Sequence, residues 1–312
     1  MRFVRSLPFV VPLLLVSCGS KQDLFIGEIS TRADAGSAGV ASNAGAQATG
    51  GTAANAGNAT GGSTAGGSDG SGGNLGGADT GAAGVGGFSD DDCPVGEAPP
   101  PGSLVHRYSF DGTGNVAVDA VSGADGNLVG AKLDGAGNLT MSGEGAQYVE
   151  LPDGIVSSLS DVTIVTWTTW QGEAAYPRVF DFGGSDGNYF AVIPKTGFED
   201  QAKPGLGAEI KVPGFDTVTL ASTVTMKNIN AQVSFVFRGG VSAALYIDAV
   251  RLAVASTDIT LADIDDHDNW LGRSHYTTDP PYQGVYQEFR IYDTALDVCQ
   301  LHTLLVNGRE MP

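Results

Sequence analysis

Cysteine and positive charge are both scarce in this 312-residue sequence. There are 3 cysteines, and 16 lysines and arginines stand against 35 aspartates and glutamates, which gives a formal net charge of −19. Nucleic-acid binding needs a basic surface that releases the counterions of the phosphates, so we expect no nucleic-acid partner. The simplest role of most of the acidic residues is to keep an exposed protein soluble.

Long apolar runs are also missing. A transmembrane helix needs roughly 20 apolar residues, and the run from Leu7 to Val16 has only about ten. Arg2 and Arg5 precede this run, as positive charges precede the apolar core of an export signal. The sequence therefore predicts a signal peptide over residues 1–17 rather than a membrane span.

The end of this run, Leu15-Val16-Ser17-Cys18, resembles the lipobox of bacterial lipoproteins. The resemblance implies a diacylglycerol on the thiol of Cys18, cleavage before this residue, and attachment to a membrane through the lipid anchor. No aspartate follows Cys18 directly, which favours the outer membrane and the cell surface in a host with two membranes. The alternative is an ordinary secretory signal in which Cys18 is incidental.

Residues 18–92 consist mainly of small residues. Between residues 36 and 87, 19 of the 52 positions are glycine, and alanine, serine, threonine and asparagine fill most of the others. Such a segment buries too little apolar surface to recover the entropy lost on ordering, so we predict a disordered tether. A neutral spacer is the simplest interpretation, and glycosylation of its serines and threonines is the alternative.

Residues 93–312 have the composition of one globular domain. Two-residue alternation, β-branched and aromatic runs, and Gly, Asp, Asn and Pro turn signals predict an all-β, two-sheet antiparallel sandwich. Near the end, Asp297 as a cap and an apolar stripe from Val298 to Leu305 predict one short helix, closed by Asn307-Gly308. The predicted strands include Leu104–Phe110, Tyr148–Leu151, Val162–Trp170, Arg178–Phe182, Tyr189–Ile193, Gln232–Phe237, Ala244–Leu252 and Val285–Tyr292.

Several segments of this domain resemble laminin-G-like, concanavalin A-like jelly-roll domains, in the correct order from about residue 103 to 308. They are His106-Arg107-Tyr108-Ser109-Phe110-Asp111-Gly112, Tyr148-Val149-Glu150-Leu151-Pro152, Trp270-Leu271-Gly272-Arg273-Ser274 and Phe289-Arg290-Ile291-Tyr292-Asp293. The resemblance implies a jelly roll of two antiparallel sheets with loops at the rims. Members of this family mostly bind glycans, other proteins or matrix, and some are appended to enzymes.

Two cysteines remain once Cys18 carries lipid, and they form an even pair in an oxidising compartment. In jelly rolls of this kind the chain ends lie close together, so the resemblance predicts a disulfide between Cys93 and Cys299. It would close a loop of about 205 residues and contribute about 4–5 kcal/mol on the chain-entropy model. The alternative is two free thiols.

Calcium is the one cofactor that we consider, and none is required. Laminin-G-like relatives often hold a calcium ion at a rim, and the acidic segment 263–268 offers hard oxygen ligands without the spacing of an EF-hand. Otherwise these acids are turn residues in solvated loops. The candidate ligands are Asp111, Asp119, Asp263, Asp265 and Asp293.

Sugar binding needs exposed aromatic faces beside hydrogen-bonding groups. Tyr276 and Tyr282 lie in the proline-rich loop 274–283, and we expect both to be exposed. Trp270, which we expect to be half-buried, and Arg273 complete the candidate ligand-binding set. For each ring, packing within the domain is the alternative to ligand contact.

Several catalytic motifs are absent from the sequence. It contains no His-Glu-x-x-His or phosphate loop, nor the Glu-x-Asp-x-x-Glu string of jelly-roll β-glucanases. We therefore expect a non-catalytic cell-surface lipoprotein that presents its domain to a carbohydrate or a protein. The alternatives are a structural envelope or matrix protein without a small ligand, and a polysaccharide-active enzyme with a carboxylate pair about 5–9 Å apart in a groove.

Overall fold

The computed structural model describes Cys93, residues 96–198 and residues 203–309. The predicted signal peptide (1–17), Cys18 and the tether (18–92) lie outside the described residues and stay predictions. Within the described residues, no helix combines the length and the apolar character needed to cross a membrane. The strands are β1 Leu104–Tyr108, β2 Val116–Ala117, β3 Gly126–Val129, β4 Lys132–Leu133, β5 Leu139–Ser142, β6 Tyr148–Leu151, β7 Asp161–Trp170, β8 Phe180–Ser185, β9 Asn188–Ile193, β10 Gly207–Lys211, β11 Val218–Ala221, β12 Asn230–Arg238, β13 Ser242–Ile247, β14 Val250–Ser256, β15 Asp268–Leu271 and β16 Gln283–Tyr292, and the helix is α1 Val298–Asn307.

The strands form two eight-stranded sheets. Sheet A has the order β14-β13-β12-β7-β16-β5-β4, with β1 also paired to β16. Sheet B has the order β11-β10-β9-β8-β15-β6-β3-β2. The ladders between these strands are antiparallel. The prediction of an all-β, two-sheet antiparallel sandwich with a short C-terminal helix is therefore confirmed.

The main core lies between the sheets, because the long strands carry apolar side chains at alternating positions. Val162 and Ile164 of β7 point inward, together with Phe235 of β12, and all three are fully buried. The Phe235 ring meets Phe180 of the opposite sheet with its centroid 6.0 Å away. Burial of each such side chain stabilises the fold by about 1.5–3 kcal/mol.

The predicted strand Ala244–Leu252 is wrong as a single strand. Asp248 and Ala249 have φ angles of 47° and 62° and form the two-residue turn between β13 and β14. The Asp248 carboxylate accepts a hydrogen bond of 2.8 Å from the backbone N–H of Gln232, which holds the turn against β12. An Asp-Ala pair lacks the glycine that usually marks such a turn, so the turn could not be recognised from the sequence.

Helix α1 covers part of the outer face of sheet A, as a second apolar cluster. The Asp297 carboxylate accepts a 2.9 Å hydrogen bond from the backbone N–H of Gln300 and caps the first turn. Leu301 and Leu304 belong to the same buried cluster as Trp167 of β7. The sequence prediction of this helix and of its cap is confirmed, and Trp167 is a packing residue.

An ion cluster on the same face holds the end of the described chain. Arg107 Nε and Arg290 Nε donate to the same Glu288 oxygen at 2.6 and 2.7 Å. Both guanidinium groups also donate to the carbonyl oxygen of Arg309, at 2.9 and 2.6 Å. Burial raises the pKa of the Glu288 carboxyl, and the two arginines oppose this effect. The cluster has a structural role, since its side chains bond to each other and to the backbone.

The predicted disulfide between Cys93 and Cys299 is confirmed. The two Cα atoms lie 5.1 Å apart, although 206 positions separate them in the sequence. The bond joins the start of the domain to the first turn of α1.

Candidate functional site

The loop of residues 272–282, which follows β15, packs against the outer face of sheet B. The backbone N–H of Tyr282 donates to the Gly272 carbonyl at 3.1 Å, so the two ends of the loop meet. Gly272 has a φ of 86°, and a Cβ at this position would collide with the sulfur of Met141. Only glycine fits both requirements, and the loop therefore starts with a fixed change of direction.

Trp270 and Arg273 form the first part of the site. The Arg273 guanidinium carbon lies 4.0 Å from the Trp270 ring centroid and 4.6 Å from that of Tyr148. The imidazole of His275 also stacks on Trp270, at 4.5 Å and 30°. These contacts hold the exposed guanidinium in one orientation and leave Trp270 only 6% exposed.

A buried ion network lies under the loop. His275 Nδ1 contacts Asp181 Oδ1 at 2.8 Å, and the His275 backbone N–H donates to Asp181 Oδ2 at 3.1 Å. Arg178 donates through Nε to Asp181 Oδ2 at 3.2 Å and pairs through Nη2 with Asp279 at 3.0 Å. The network joins β8 to both halves of the loop. It therefore fixes where the residues between Ser274 and Asp279 lie.

Tyr276 is held at the centre of the site. Lys211 Nζ donates to its hydroxyl at 2.9 Å, and this bond raises the pKa of the lysine. The ring of Tyr189 meets the Tyr276 ring edge-on at 5.9 Å. The Tyr189 hydroxyl in turn donates to the Glu209 carboxylate. Burial, followed by the hydrogen bond to Glu209, raises the pKa of Tyr189 well above its usual range.

Tyr276 lines two cavities. The first, which we call the arginine groove, has a volume of about 450 Å³ and is lined by Gln147, Tyr148, Arg273, Tyr276, Thr277 and Asp279, among others. The second, the aromatic pocket, has a volume of about 260 Å³ and is lined by Tyr176, Tyr189, Phe198, Glu209, Tyr276 and Asp279, among others. Tyr276 and Asp279 belong to both linings. The arginine groove therefore offers aromatic rings beside hydrogen-bond donors, and the aromatic pocket offers aromatic rings beside carboxylate acceptors.

The structure brings three of the four predicted ligand-binding residues together. Trp270, Arg273 and Tyr276 all line the arginine groove, although Trp270 is buried rather than half-buried. The expectation that Tyr282 is exposed is wrong, because this side chain is 0% exposed. Its hydroxyl lies 2.7 Å from the Thr168 hydroxyl and its ring lies 4.8 Å from that of Tyr286.

Sequence reasoning missed the residues that sheet B contributes. Asp181 of β8 and Glu150 of β6 both pair directly with Trp270, so these side chains lie on the same, outer face of sheet B. Tyr148 lies two residues before Glu150 on β6 and therefore shares this face. Glu209 faces outward because it pairs with Ala191 of β9. The available signal was the strand alternation itself, which marks these positions as polar breaks within apolar strands.

The five carboxylates predicted to bind calcium are separately placed. Asp263 accepts from the Thr260 backbone N–H at 2.8 Å, Asp265 lies 2.9 Å from His267, and Asp111 and Asp293 are exposed. Among the residues that the structure describes, one group of three close ligand atoms stands out: Glu97, Asp297 and Cys299. The sulfur of Cys299 is already in the disulfide. The described acidic side chains thus do not converge on a calcium site by themselves, and calcium stays a prediction.

Asp119 has a different environment from that of a free metal ligand. Its Oδ1 accepts from the backbone N–H groups of Arg107 and Val121 at 2.9 and 3.0 Å. Its Oδ2 accepts from the Ser122 hydroxyl at 2.5 Å and contacts His106 Nδ1 at 2.9 Å. Both oxygens are therefore committed to holding the segment after β2 against β1.

The environment of the Asp279 carboxyl should make the stability of the folded domain depend on pH. Burial raises the pKa of its carboxyl, and the Ser274 and Arg178 side chains oppose this effect. A raised pKa in the folded state favours folding below the unfolded value, about 3.9, and this contribution is lost as the pH rises through the folded pKa. We expect the stability advantage of the wild type over Asp279→Asn to grow on acidification through that window. Denaturant titrations of both proteins across this range check the prediction, and parallel curves would contradict it.

The comparisons with known proteins agree with this fold. Residues 142–302 match the model of the concanavalin A-like lectin/glucanases superfamily, and this segment is more than half of the chain. The chain therefore belongs to that superfamily. A search of curated protein sequences finds no match.

Solved structures with the same fold include a domain of an arabinanase and a sialidase. One is domain 4 of AbnA, an extracellular GH43 arabinanase from Geobacillus stearothermophilus, in complex with arabinotriose. It has a TM-score of 0.53 at 18% identity and covers 65% of this chain and 98% of that one. Another is the Trypanosoma rangeli sialidase in complex with the inhibitor DANA, with a TM-score of 0.50 at 16% identity, covering 70% of this chain and 36% of that one. At these identities the likeness concerns the fold alone.

Proposed function

We propose that this protein is a non-catalytic glycan-binding lipoprotein, and that the arginine groove is its binding site. The observation that carries the proposal is the exposed guanidinium of Arg273, which two aromatic rings hold in place beside Tyr276 and the amide of Gln147. A carbohydrate ligand presents many hydroxyl groups, and it is bound by oriented donors and acceptors next to aromatic surface.

The stacking of Arg273 supports this role for an energetic reason. A free arginine side chain loses about 2 kcal/mol of rotamer entropy when it is immobilised. In this groove Tyr148 and Trp270 have already restricted the guanidinium, so less is lost when a ligand binds. Its N–H groups are then available to the hydroxyl and ring oxygens of a sugar, since no described carboxylate lies within ion-pair distance of it.

The carboxylates near the groove support binding rather than hydrolysis. Glycosidases use two carboxyl groups that are free to exchange a proton and to reach the sugar. Here Asp181 is fully buried and engaged by His275 and Arg178. Asp279 is engaged by Arg178 and by the Ser274 hydroxyl. We therefore assign this network to the positioning of the loop.

The lipid anchor is part of the same proposal. The lipobox at Cys18 and the glycine-rich segment up to residue 92 support a domain that is carried on a tether outside the membrane. A segment of this length and composition has a root-mean-square span of roughly 45 Å. Radiolabelled palmitate incorporation into the wild type but not into Cys18→Ser would support the anchor. Equal labelling of the two proteins would contradict it.

Binding to an array of neutral and acidic polysaccharide fragments tests the proposed site. We expect Arg273→Ala to weaken the binding of the wild-type ligand about tenfold, or about 1.4 kcal/mol, because it removes oriented donors. We expect Tyr276→Ala to weaken it at least as much. Isothermal titration of residues 93–312, oxidised, provides the measurement, and repeating it with EDTA shows whether a cation takes part.

Arg238→Ala is the matched control, because Arg238 is also an exposed arginine but belongs to β12 of sheet A. It should leave the affinity unchanged. An equal loss in both arginine variants would point to a general charge effect and contradict the assignment to this groove. No binding of any fragment by the wild type would overturn the glycan proposal and favour a structural role in the envelope.

A further inference from the structure

We infer that the arginine groove and the aromatic pocket are two halves of one binding site, which takes an internal segment of a neutral polysaccharide chain across Tyr276. This inference rests on the proposed function and adds the class of ligand to it. It also predicts how the site distinguishes a chain from a single sugar.

The two cavities share part of their lining. Tyr276 and Asp279 belong to both, so a ligand that fills one cavity reaches residues of the other. The arginine groove has a volume of about 450 Å³ and the aromatic pocket adds about 260 Å³. Taken together they reach well into the range of sites that enclose most of an extended ligand.

Tyr276, which lines both cavities, is held by several contacts. Tyr276 is fixed at its hydroxyl by Lys211, at its ring by Tyr189, and at its backbone N–H by the Ser274 hydroxyl at 3.1 Å. The Arg178 guanidinium also lies 6.0 Å from its ring centroid. A ring held from several sides is a ready surface for one sugar unit, with neighbouring units reaching into the cavity on either side.

The aromatic pocket combines apolar rings with carboxylates. The rings of Tyr176 and Phe198 meet edge-to-face at 6.2 Å and form its apolar side. Tyr176 has a φ of 69°, an uncommon conformation for a residue with a side chain, of the kind that occurs at binding sites. The lining of the pocket also includes the carboxylates of Glu209 and Asp279. Carboxylates accept hydrogen bonds from sugar hydroxyl groups.

The same carboxylates indicate a neutral ligand. The one guanidinium of the pocket, that of Arg178, is buried and already paired with Asp181 and Asp279. The Lys211 ammonium does not line the pocket and already donates to the Tyr276 hydroxyl and the Asp186 carbonyl. A uronate or sialate carboxylate would therefore meet Glu209 without an unpaired cation in the lining, and like charges at close range repel strongly where water is excluded. The aromatic pocket should accept a neutral unit and reject an acidic one.

The test compares chain lengths on one family of neutral oligosaccharides that the wild-type protein binds on the array. We expect affinity to rise by about tenfold or more from the monosaccharide to the longer members. Phe198→Ala, which changes a residue of the aromatic pocket and not of the arginine groove, should remove most of this gain. Phe215→Ala is its matched control, because Phe215 is 42% exposed and lines neither cavity.

A second variant, Glu209→Gln, tests the charge argument, since glutamine can still accept from the Tyr189 hydroxyl. It should increase the affinity for oligogalacturonate relative to the neutral chain of equal length. If Arg273→Ala weakens binding but affinity does not depend on chain length or on Phe198, the glycan site stands and the two-part site is overturned. If the wild type binds no member of the array, the proposed function itself fails.

Discussion

Replacing Cys93 and Cys299 together by serine is expected to lower the free energy of unfolding by about 4–5 kcal/mol. The reason is the length of the loop that the bond closes, with a sequence separation of 206. Without the bond, the unfolded chain gains conformational entropy, because the constraint on nearly the whole length of the domain is removed. The folded sandwich keeps its core. Equilibrium denaturation in urea, with and without reductant, measures the difference.

The wild type in strong reductant is the internal control, because it should match the serine variant within error. The arginine groove lies on sheet B, so the variant should keep its affinity for a glycan ligand under conditions where it remains folded. An unchanged denaturation midpoint would contradict the stabilising role of the bond. A loss of affinity by a variant that is still folded would contradict the separation between the bond and the site.

Replacing Asp119 by alanine is expected to destabilise the domain by about 3 kcal/mol or more. The carboxylate accepts hydrogen bonds from several backbone N–H groups and from the Ser122 hydroxyl, and it pairs with His106. Each buried donor that loses its partner costs about 1–3 kcal/mol, and the losses fall on one segment. Differential scanning calorimetry and urea titration measure the effect.

Asp134→Ala is the matched control, since Asp134 makes similar local hydrogen bonds, to Ala136 and Asn138, in an exposed turn. It should change the midpoint much less than Asp119→Ala. Should the alanine variant fail to fold, Asp119→Asn keeps part of the hydrogen bonding and allows a measurement. Equal effects at Asp119 and Asp134 would contradict the structural importance of the buried carboxylate.

The pH dependence of the free energy of unfolding gives a second measure of how much the Asp119 carboxylate stabilises the domain. Burial acts to raise its pKa, but the hydrogen bonds from Ser122, the Arg107 backbone and His106 outweigh burial and hold the pKa well below its usual range. A lowered pKa in the folded state stabilises the protein above the unfolded value of about 3.9, and this contribution is lost as the pH falls toward the folded pKa. The stability difference between wild type and Asp119→Asn should therefore shrink as the pH falls below about 4.

Strand alternation and capping signals were sufficient to predict much of the fold. The pattern in β7 and the Asp297 cap of α1 depend on neighbours in the sequence, and both appear where they were expected. The Asp248-Ala249 turn was not predictable, because its two positive φ angles are imposed by pairing between β13 and β14 and not by glycine.

The site was predictable only in part, because its geometry depends on contacts between distant segments. Arg273 and Tyr276 could be selected from the loop sequence, but their partners Tyr148 and Lys211 come from two other strands. Tyr282 lies in the same proline-rich loop as Tyr276 and has the same chemistry. It is buried because the chain turns back into β16 there and the hydroxyl finds Thr168 inside the sandwich.

The disulfide also determines how the domain responds to tension along the chain. A pull on residues before Cys93 reaches Cys299 through a covalent bond and is shared between β1 and the first turn of α1. Helix α1 packs on sheet A through Leu301 and Leu304. Force is thus spread over the face of a sheet instead of unzipping β1 from its edge. If the domain is held at its N-terminal end while sheet B binds a fixed polymer, the force acts between these two points. We expect the domain to resist mechanical unfolding along that direction.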